Sequence, residues 1–366
     1  MKSNLTKEDI LQVLTATDSD IIRYMAETVK YRENNLITYS KNIFIPLTEI
    51  CRNDCGYCNF KKNPADSNAI ILKSKEEVLK SLKEAEQYGC KEAMFAFGED
   101  ADEEEIVKIK LTEYGYENMV DYVVDICQMT LDETTLLPHT NGGNYSYEDL
   151  KKLKDVNASM GLMLENASSR LLELPAHNKS PGKNPKIRLK TIENAGKLKI
   201  PYTTGILIGI GETAEEIADS LIAIRELYDK YGHIQEVIIQ NFTPISGIEM
   251  ENWPEPSFLD MIRTVIAGTL VFSNTNVSIQ VPPNLNNYTA QIFLLCGADD
   301  WGGISPVSPD FVNITSPWPG IDELQNLTED AGFKLTERLC VYEKYINSEW
   351  LNNFILEKIV NISEHQ

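Results

Sequence analysis

Three cysteines near residue 50 have a spacing that suits a metal or iron–sulfur centre. Cys51, Cys55 and Cys58 follow one another as C-x3-C-x2-C, directly after the apolar run 43–47 (IFIPL). Thiolates are soft ligands that favour iron–sulfur clusters, copper(I) or zinc. A tight loop brings three of them onto one face of a small cluster. Because a cube of four irons then keeps one iron without a protein ligand, that iron could chelate a substrate or a cofactor.

The cysteine spacing, with the aromatic Tyr57 before the last cysteine, resembles the radical S-adenosylmethionine (radical SAM) superfamily. This resemblance implies a 4Fe-4S cluster on Cys51, Cys55 and Cys58, and it places Tyr57 beside the cofactor. It also implies that the open iron holds the amino and carboxylate groups of S-adenosylmethionine. One electron from the cluster would cleave this cofactor to methionine and a 5′-deoxyadenosyl radical.

Two alternatives of another class stay open, a non-catalytic iron–sulfur electron carrier and a zinc-binding scaffold. Structural zinc is nearly always closed by four ligands, and ferredoxin-type clusters usually take four cysteines. The loop contains no fourth Cys or His, and a distant fourth ligand is not signalled. Cleavage of S-adenosylmethionine by the reduced protein would separate the classes, because a carrier gives none.

The composition argues against several partners. The 366 residues include 34 Lys and Arg against 55 Asp and Glu, a formal net charge of -21, and no basic stripe is visible. We therefore expect neither nucleic acid nor a membrane surface as a partner. No secretory signal or membrane-spanning run is visible. The other four cysteines are scattered singly, as is typical of reduced thiols, so we expect a cytoplasmic protein.

Strands and helices alternate along most of the chain. Residues 1–36 are predicted to form a helical cap, and 37–366 a single barrel domain whose C-terminal part, from about 321, is helical. Eight short apolar strands are predicted, at roughly 43–49, 92–99, 136–140, 159–165, 203–212, 236–242, 278–281 and 299–304. Because such strands separated by helices pair in parallel, the pattern predicts an α/β fold, a TIM-type (β/α)8 barrel.

Polar residues gather where the predicted strands end. In such a barrel the active site lies at the C-terminal ends of the strands. The cysteine loop follows the first strand, and the other strand ends carry Gly98-Glu99, His139-Thr140, Glu165, Gly211-Glu212 and Gln240-Asn241. This convergence is independent of the cysteine spacing.

Candidate cofactor-binding residues lie at two of these strand ends and, in the case of Arg188, just before the fifth strand. Gly98 lets the backbone approach a ligand, and Glu99 supplies charge for an ammonium group; a turn with an exposed carboxylate is the alternative. Arg188 presents a planar fork suited to a carboxylate, with a surface ion pair as the alternative. Glu165 is a candidate for the cofactor's ribose hydroxyls or for proton transfer.

The glycines of the fifth strand do not have the G-x-G-x-x-G spacing of a dinucleotide-binding motif. We interpret Gly205, Gly209 and Gly211 as small residues that let this strand pass the cofactor's adenine.

The catalytic candidates are His139, Glu165 and Asp300. A histidine at a strand end can act as acid, base or hydrogen-bond donor near neutral pH, although a structural histidine is as common. The stretch 299–303 (DDWGG) offers paired carboxylates and an indole that could stack on an aromatic substrate. A glycine-rich turn is the alternative for this stretch.

Several stretches together resemble one family of radical SAM enzymes more closely. They are residues 37–40, 51–60, 138–141, 161–165, 200–213, 234–242 and 300–306. They look like the CofG-type subunit of FO synthase, where FO is 7,8-didemethyl-8-hydroxy-5-deazariboflavin. The stretch 300–304 (DWGGI) is the most specific of them, and the loop 141–143 (NGG) departs from the family's pattern.

The resemblance implies a radical SAM lyase with a small-molecule substrate. It would convert 5-amino-5-(4-hydroxybenzyl)-6-(D-ribitylimino)-5,6-dihydrouracil to FO and release ammonia. A separate adduct-forming subunit and an external electron donor of the ferredoxin or flavodoxin type are implied as partners. The alternative is that sister subunit, which forms the adduct from tyrosine and 5-amino-6-(D-ribitylamino)uracil. A single C-x3-C-x2-C motif and one barrel predict that the chain performs one of the two radical steps.

Overall fold

Eight parallel strands close into a barrel in the computed structural model, which describes residues 5–32 and 34–364. Neighbours in sequence are neighbours in the sheet, and β1 pairs with both β2 and β8, which closes the ring. The strands are β1 (Leu36–Thr48), β2 (Glu92–Phe97), β3 (Leu137–Asn141), β4 (Ser159–Gly161), β5 (Tyr202–Ile208), β6 (Ile234–Asn241), β7 (Ser278–Gln280) and β8 (Asp300–Ile304). The predicted (β/α)8 barrel is confirmed.

Helices surround the barrel and connect its strands. They are α1 (Lys7–Leu14), α2 (Asp18–Thr28), α3 (Lys75–Gln87), α4 (Glu105–Tyr114), α5 (Met119–Glu133), α6 (Tyr147–Lys154), α7 (Pro185–Lys197), α8 (Ala214–Tyr231), α9 (Phe258–Phe272), α10 (Ala290–Leu295), α11 (Ile321–Asp330) and α12 (Asn353–Glu364). Several begin at capping boxes such as Ser74 with Glu77 and Thr213 with Glu216. Each box satisfies two backbone N–H groups that would otherwise lack partners. In the described part of the chain, no helix is both long and apolar enough to cross a membrane.

The N-terminal helices pack on the outside of the barrel. Helix α1 begins at the predicted cap of Thr6 with Asp9, and it buries Ile10, Val13 and Leu14. It packs against α8 and α9, and α2 packs against α9. Residues 1–4 and 33 of the predicted cap lie outside the described residues, as do 365 and 366. The boundary between a cap of residues 1–36 and a barrel of 37–366 stays a prediction.

A ninth strand corrects the prediction that the chain beyond about 321 is purely helical. Strand β9 (Lys334–Arg338) pairs in parallel with the first half of β1, from Leu36 to Ser40. Its sequence, KLTER, contains one apolar residue, Leu335, so it lacks the alternation from which strands are recognised. Pairing with β1 and burial of Arg338 inside the barrel therefore decide its conformation.

Residues 338–342, which we call the C-terminal plug, close the end of the barrel where most of the strands begin. The carbonyl oxygen of Cys340 accepts hydrogen bonds from Ser159 Oγ at 2.8 Å and from Gln235 Nε2 at 2.9 Å. The backbone N–H of Tyr342 donates to Gln235 Oε1 at 3.2 Å. The plug is therefore tied to β4 and β6 near their starts, opposite the cysteine loop.

Candidate active site

A cavity of about 360 Å³ runs inside the barrel from the cysteine loop to the C-terminal plug. Its wall includes all three motif cysteines at one end and Arg338 and Cys340 at the other. The interior of a (β/α)8 barrel is ordinarily filled by layers of branched apolar side chains. This barrel is open instead; we call the cysteine end of the cavity the mouth and the plug end the floor.

The three motif cysteines share one environment that the other cysteines do not. Cys51, Cys55 and Cys58 are half-buried at the mouth, whereas the remaining four are buried free thiols, Cys90, Cys127, Cys296 and Cys340. Burial raises the pKa of Cys51 to about 12, and burial next to Cys55 raises the pKa of Cys58. Metal binding would therefore have to displace protons from these thiols.

The donor set at the mouth fits an iron–sulfur cluster better than a single ion. No three His, Cys, Asp or Glu side chains of the described residues are arranged to share one metal ion. Three thiols on one loop at a cavity mouth, by contrast, are the ligands that iron–sulfur clusters take. The three thiols therefore fit the predicted cluster, and their ligation of separate irons stays a prediction.

The cysteine loop is held by backbone contacts with two neighbouring segments. Arg52 N donates to Glu99 O at 3.0 Å, and Gly56 N donates to Ala176 O at 3.2 Å. A methyl group added at Gly98 would lie 1.8 Å from the carbonyl oxygen of Ile50. Gly98 is thus required for the end of β2 to pack against the start of the loop.

Glu99 and Arg188 form a buried ion pair in the mouth. Arg188 Nη1 lies 3.1 Å from Glu99 Oε2, and Asn144 Nδ2 donates to Glu99 Oε1 at 2.9 Å. Burial alone would raise the pKa of Glu99, but Arg188 and Lys183 hold it below its ordinary value. The alternatives of an exposed turn carboxylate and a surface ion pair are therefore wrong, because both side chains are at most 6% exposed.

Glu165 forms a second ion pair beside the first. Its carboxylate lies 2.7 Å from Lys183 Nζ, and Lys183 and Arg188 hold its pKa below the ordinary value against the effect of burial. Its backbone has φ of 63°, a region that non-glycine residues rarely adopt and that often marks functional sites. Sequence reasoning missed Lys183, because it lies in a short turn with no periodic pattern.

Tyr57 contacts this second pair. Lys183 Nζ lies 5.8 Å from the centre of the Tyr57 ring, and the Tyr57 hydroxyl is 3.1 Å from His177 Nε2. The mouth thus combines two carboxylates and two cations around three cysteines, with one aromatic ring.

Arg188 keeps one donor nitrogen for a ligand. Its Nε donates to Met163 O at 2.7 Å, and its Nη1 is used by Glu99 and by Gly182 O. In the part of the chain that the structure describes, Nη2 forms no hydrogen bond. The guanidinium is therefore fixed in orientation with a free donor, as recognition of a carboxylate requires.

The cavity lining does not include Gly205 of β5, nor Gly209 and Gly211 of the turn that follows. Thr203 and Leu207 line the cavity from β5 instead. A methyl group at Gly205 would lie 2.3 Å from Ile238 O, and one at Gly209 2.5 Å from Pro256. Gly209 and Gly211 also have φ of 91° and 103°. Close packing and turn geometry thus explain these glycines, and their contact with adenine stays a prediction.

His139 lies deep in the cavity wall on β3, with one ring nitrogen satisfied. Nδ1 is 2.7 Å from Ser159 Oγ, whose own proton goes to Cys340 O. Because the serine oxygen must then accept, Nδ1 carries the ring proton and Nε2 presents a lone pair. Burial lowers the pKa of His139, so we assign the ring as neutral. A neutral ring favours the role of a base or acceptor over that of an acid, and the catalytic role of His139 stays a prediction.

Asp300 and Trp301 do not have the positions that the sequence analysis gave them. Asp300 is fully buried at the start of β8, 2.5 Å from Arg338 Nε, and is not among the residues lining the cavity. Trp301 is also fully buried, packs with Ile37 and Leu324, and donates from Nε1 to Thr328. The expectation that this indole stacks on a substrate is wrong, and the contacts of Asp300 are those of a structural ion pair.

Comparison with known proteins identifies close relatives. Residues 45–223 match the family model described as the Radical SAM superfamily. The 7,8-didemethyl-8-hydroxy-5-deazariboflavin synthase of Methanobrevibacter smithii is 78% identical over 339 residues, which cover 93% of this chain and 100% of that protein. The synthase of Methanocaldococcus jannaschii is 51% identical over 359 residues, 98% of each chain.

Solved structures share the fold at lower identity. The FeFe-hydrogenase maturase HydG from Carboxydothermus hydrogenoformans superimposes with a TM-score of 0.74 at 16% identity, over 99% of this chain and 83% of that one. Methylornithine synthase superimposes with a TM-score of 0.70 at 19% identity, over 91% and 94%. At these identities the likeness supports the barrel fold alone.

Proposed function

Because the chain belongs to the 7,8-didemethyl-8-hydroxy-5-deazariboflavin (FO) synthases within the radical SAM superfamily, we propose that it catalyses the ring-closing step of FO formation. The substrates are 5-amino-5-(4-hydroxybenzyl)-6-(D-ribitylimino)-5,6-dihydrouracil and S-adenosylmethionine, which serves as the two-electron oxidant. The products are FO, ammonia, methionine and 5′-deoxyadenosine, so the enzyme is proposed as a carbon–nitrogen lyase. The observation that carries the proposal is 78% identity over the whole length of a protein named for this product.

The family implies a 4Fe-4S cluster and S-adenosylmethionine, and the cysteine loop fits the cluster. Cys51, Cys55 and Cys58 would hold it at the mouth, where all three line the cavity. Bound together, the two cofactors supply a 5′-deoxyadenosyl radical that removes hydrogen from a substrate. The chain's own residues must bind these molecules, orient the substrate and exclude water.

The ion pairs at the mouth suit the polar groups of S-adenosylmethionine. The free Nη2 of Arg188 is placed to bind the cofactor's carboxylate. Glu99, held ionised by Arg188 and Lys183, supplies negative charge for its ammonium group. Glu165, also ionised, is suited to accept hydrogen bonds from ribose hydroxyls. Because ionised carboxylates have no proton to give, Glu165 is proposed as an acceptor or base and not as an acid.

The middle of the cavity suits an aromatic substrate. Its wall carries apolar side chains, namely Met94, Phe97, Leu162, Leu207, Ile238 and Phe242, interspersed with polar ones such as Asn141, Gln240 and Gln280. Such a wall excludes water and competing hydrogen donors while a radical is present. Below it, the neutral His139 presents Nε2 toward the substrate, and we propose this nitrogen as the acceptor of a hydrogen bond or a proton. No catalytic role is proposed for Asp300.

The partners follow from the proposed step. One cysteine motif and one cavity support a single radical reaction, so the adduct would come from a separate adduct-forming subunit. The electron that starts the reaction would come from an external donor of the ferredoxin or flavodoxin type.

Anaerobic turnover of the reconstituted protein tests the proposal. Given the preformed adduct and a chemical reductant, the protein is expected to release ammonia, 5′-deoxyadenosine and a fluorescent deazaflavin. Given tyrosine and 5-amino-6-(D-ribitylamino)uracil, it is expected to make no FO. Consumption of tyrosine with accumulation of the adduct would instead identify the chain as the sister subunit. A Cys55→Ser variant serves as the control without radical chemistry.

A further inference from the structure

The floor of the cavity is polar where a barrel interior is ordinarily apolar. Asn42, Glu92, His139 and Glu236 line it, and each is at most 7% exposed; we call these four residues the floor subsite. Asn42 pairs with Glu92 in the sheet and lies six residues before the end of β1, about 20 Å along the strand at 3.3 Å per residue. The floor subsite is thus separated from the cysteine loop by the length of the barrel.

The protein itself uses only part of the hydrogen-bonding capacity of the floor. Ser40 Oγ donates to Glu92 Oε2, and in the described chain no group donates to the other oxygen, Oε1. Asn42 Oδ1 is buried without a hydrogen-bond partner. The structure gives His139 Nε2 no partner either, among the residues it describes.

The fourth member, Glu236, is held by its neighbours. Thr203 Oγ1 donates to its Oε2 at 3.1 Å, and Arg338 Nη2 donates to its Oε1 at 2.8 Å. Arg338 itself is bound in a two-bond contact with Asp300, through Nε and Nη2. The Tyr342 hydroxyl donates to the same Oε1 at 3.4 Å. Burial raises the pKa of Glu236 to about 8, so near pH 7 this side chain presents a protonated carboxyl group, which can donate as well as accept a hydrogen bond.

The open positions of the floor subsite are mainly acceptors, namely carboxylate oxygens, an amide oxygen and an imidazole lone pair. Buried polar groups without partners cost stability, so they indicate a ligand that completes them. An anion without a hydrogen to donate could not satisfy these acceptors. A chain of hydroxyl groups is suited to the site, because each hydroxyl donates one hydrogen bond and accepts others.

Resting on the proposed function, we propose that Glu92, His139 and Glu236 bind the hydroxyl groups of the substrate's ribityl chain. The polyol then extends to the floor while the aromatic part occupies the apolar middle of the cavity. Arg338 acts as a positioning residue, because it orients Glu236 from the C-terminal plug. A polyol bound at the floor would orient the reacting ring of the substrate toward the mouth.

Equilibrium binding of two fluorescent ligands to the reconstituted protein tests this inference. The ligands are FO and an analogue whose ribityl chain is replaced by a methyl group. The wild-type protein should bind FO at least about tenfold more tightly, since three hydrogen bonds of about 0.5–1.5 kcal/mol each contribute about 1.5–4.5 kcal/mol, more than the 1.4 kcal/mol of a tenfold change. Equal affinities for the two ligands would overturn the inference without any variant.

Two variants and a matched control locate the effect. Glu92→Gln, which can still accept from Ser40, and His139→Leu should each weaken FO binding at least about fivefold and change binding of the methyl analogue by less than about twofold. Glu337→Gln makes the same chemical change on β9 at a residue outside the cavity lining, and both affinities should persist. Equal weakening of both ligands in the floor variants would show that the floor only supports the fold, which refutes the inference.

The result is independent of the turnover experiment. A protein that converts the adduct to FO but binds both ligands equally retains the proposed function and loses the floor subsite. A protein that fails to convert the adduct but distinguishes the ligands retains the floor subsite for another ribityl compound.

Discussion

Arg188 Nη1 lies 3.1 Å from Glu99 Oε2 inside the cavity mouth, and the two side chains are 5% and 6% exposed. The pair joins α7 to the end of β2, beside the loop that carries the cysteines. Glu99 fixes one side of the guanidinium, and the backbone of Met163 fixes another. This arrangement leaves the planar group with one orientation and one free donor nitrogen.

Replacing the guanidinium by an ammonium should therefore weaken binding of S-adenosylmethionine. Lysine keeps the charge of Arg188 but lacks the planar fork, and we expect Arg188→Lys to raise the dissociation constant at least about tenfold, since a charged hydrogen bond contributes about 1.5–3 kcal/mol. Isothermal titration of the reconstituted protein measures this. Arg52→Lys is the control, because the Arg52 side chain pairs with Asp100 and Glu103 at the surface. An unchanged constant would remove Arg188 from the cofactor site.

The three motif cysteines should be jointly necessary for the cluster. Single Ser variants of Cys51, Cys55 and Cys58 are expected to lose the visible charge-transfer band and most of the bound iron. Cys90→Ser and Cys296→Ser should keep both, because these thiols are buried away from the loop. Iron analysis and absorption spectra of each variant measure the cluster content. The assignment would be refuted if the Cys296→Ser protein lost the cluster while the Cys55→Ser protein kept it.

A methyl group at Gly98 should disturb the cysteine loop from outside it. The added carbon would meet Ile50 O at 1.8 Å, so Gly98→Ala must displace the backbone that precedes Cys51. We expect less iron per chain and a loss of about 2 kcal/mol or more in the free energy of unfolding. Gly320→Ala is the control, since nothing lies within 4 Å of its added carbon. Full cluster content in Gly98→Ala would contradict this account.

The ion pair beneath the floor should matter most when only one partner is removed. Arg338→Met leaves Asp300 buried and uncompensated, and loss of one partner of a buried pair costs about 3–5 kcal/mol. The double variant Arg338→Met with Asp300→Asn should recover part of that loss, because the buried charge of Asp300 is removed and burial raises the pKa of the other partner, Glu236, to about 8. Urea unfolding of both proteins provides the comparison, and an Arg338→Met protein as stable as the wild type would show that the pair is not coupled to folding.

The protein should lose stability on acidification through its buried histidines. Burial lowers the pKa of His233 from 6.5 to about 3, so below pH 6.5 the unfolded chain binds a proton that the folded chain does not. Between pH 7.5 and 5.5 this histidine alone should reduce the free energy of unfolding by about 1.4 kcal/mol.

A variant isolates this contribution from those of other groups. His233→Phe keeps a ring in the same pocket but cannot be protonated, so its stability should fall by about 1.4 kcal/mol less than that of the wild type over the same pH interval. Urea unfolding at both pH values measures the difference. Identical pH dependence in the two proteins would mean that His233 titrates normally in the folded state.

The sequence was sufficient to predict the barrel fold and the position of most of the polar residues at the mouth. Apolar strands separated by helices leave few topologies, and parallel strands bring their C-terminal ends together, so Glu99 and Glu165 were expected near the cysteines. Arg188 was expected there as well, although its ion pair with Glu99 was not. Lys183 could not be found, because a lysine in an irregular turn carries no periodic signal.

The direction of individual side chains was harder to predict. Successive residues of a strand point to opposite faces, so adjacent Asp300 and Trp301 cannot share one environment. Asp300 meets Arg338, whereas Trp301 packs among Ile37 and Leu324. An error of one residue in the predicted register of β8 would exchange its inward and outward side chains. The sequence alone does not determine this register. The role of Arg338 was equally hidden, since β9 is recognisable only once β1 is available to pair with it.

The pairing of β9 with β1 also has a consequence for how the protein is made. Leu36 pairs with Lys334, so the strand that leads into the cysteine loop gains its last neighbour only after nearly the whole chain has been synthesised. Contacts of such sequence separation form late and slow the folding reaction. A nascent or truncated chain that ends before β9 would lack Arg338, the partner of Asp300. Its barrel would also be open at the floor, so that water could reach the interior. A cluster inserted before the polypeptide is complete would therefore lie in a barrel whose floor is still open.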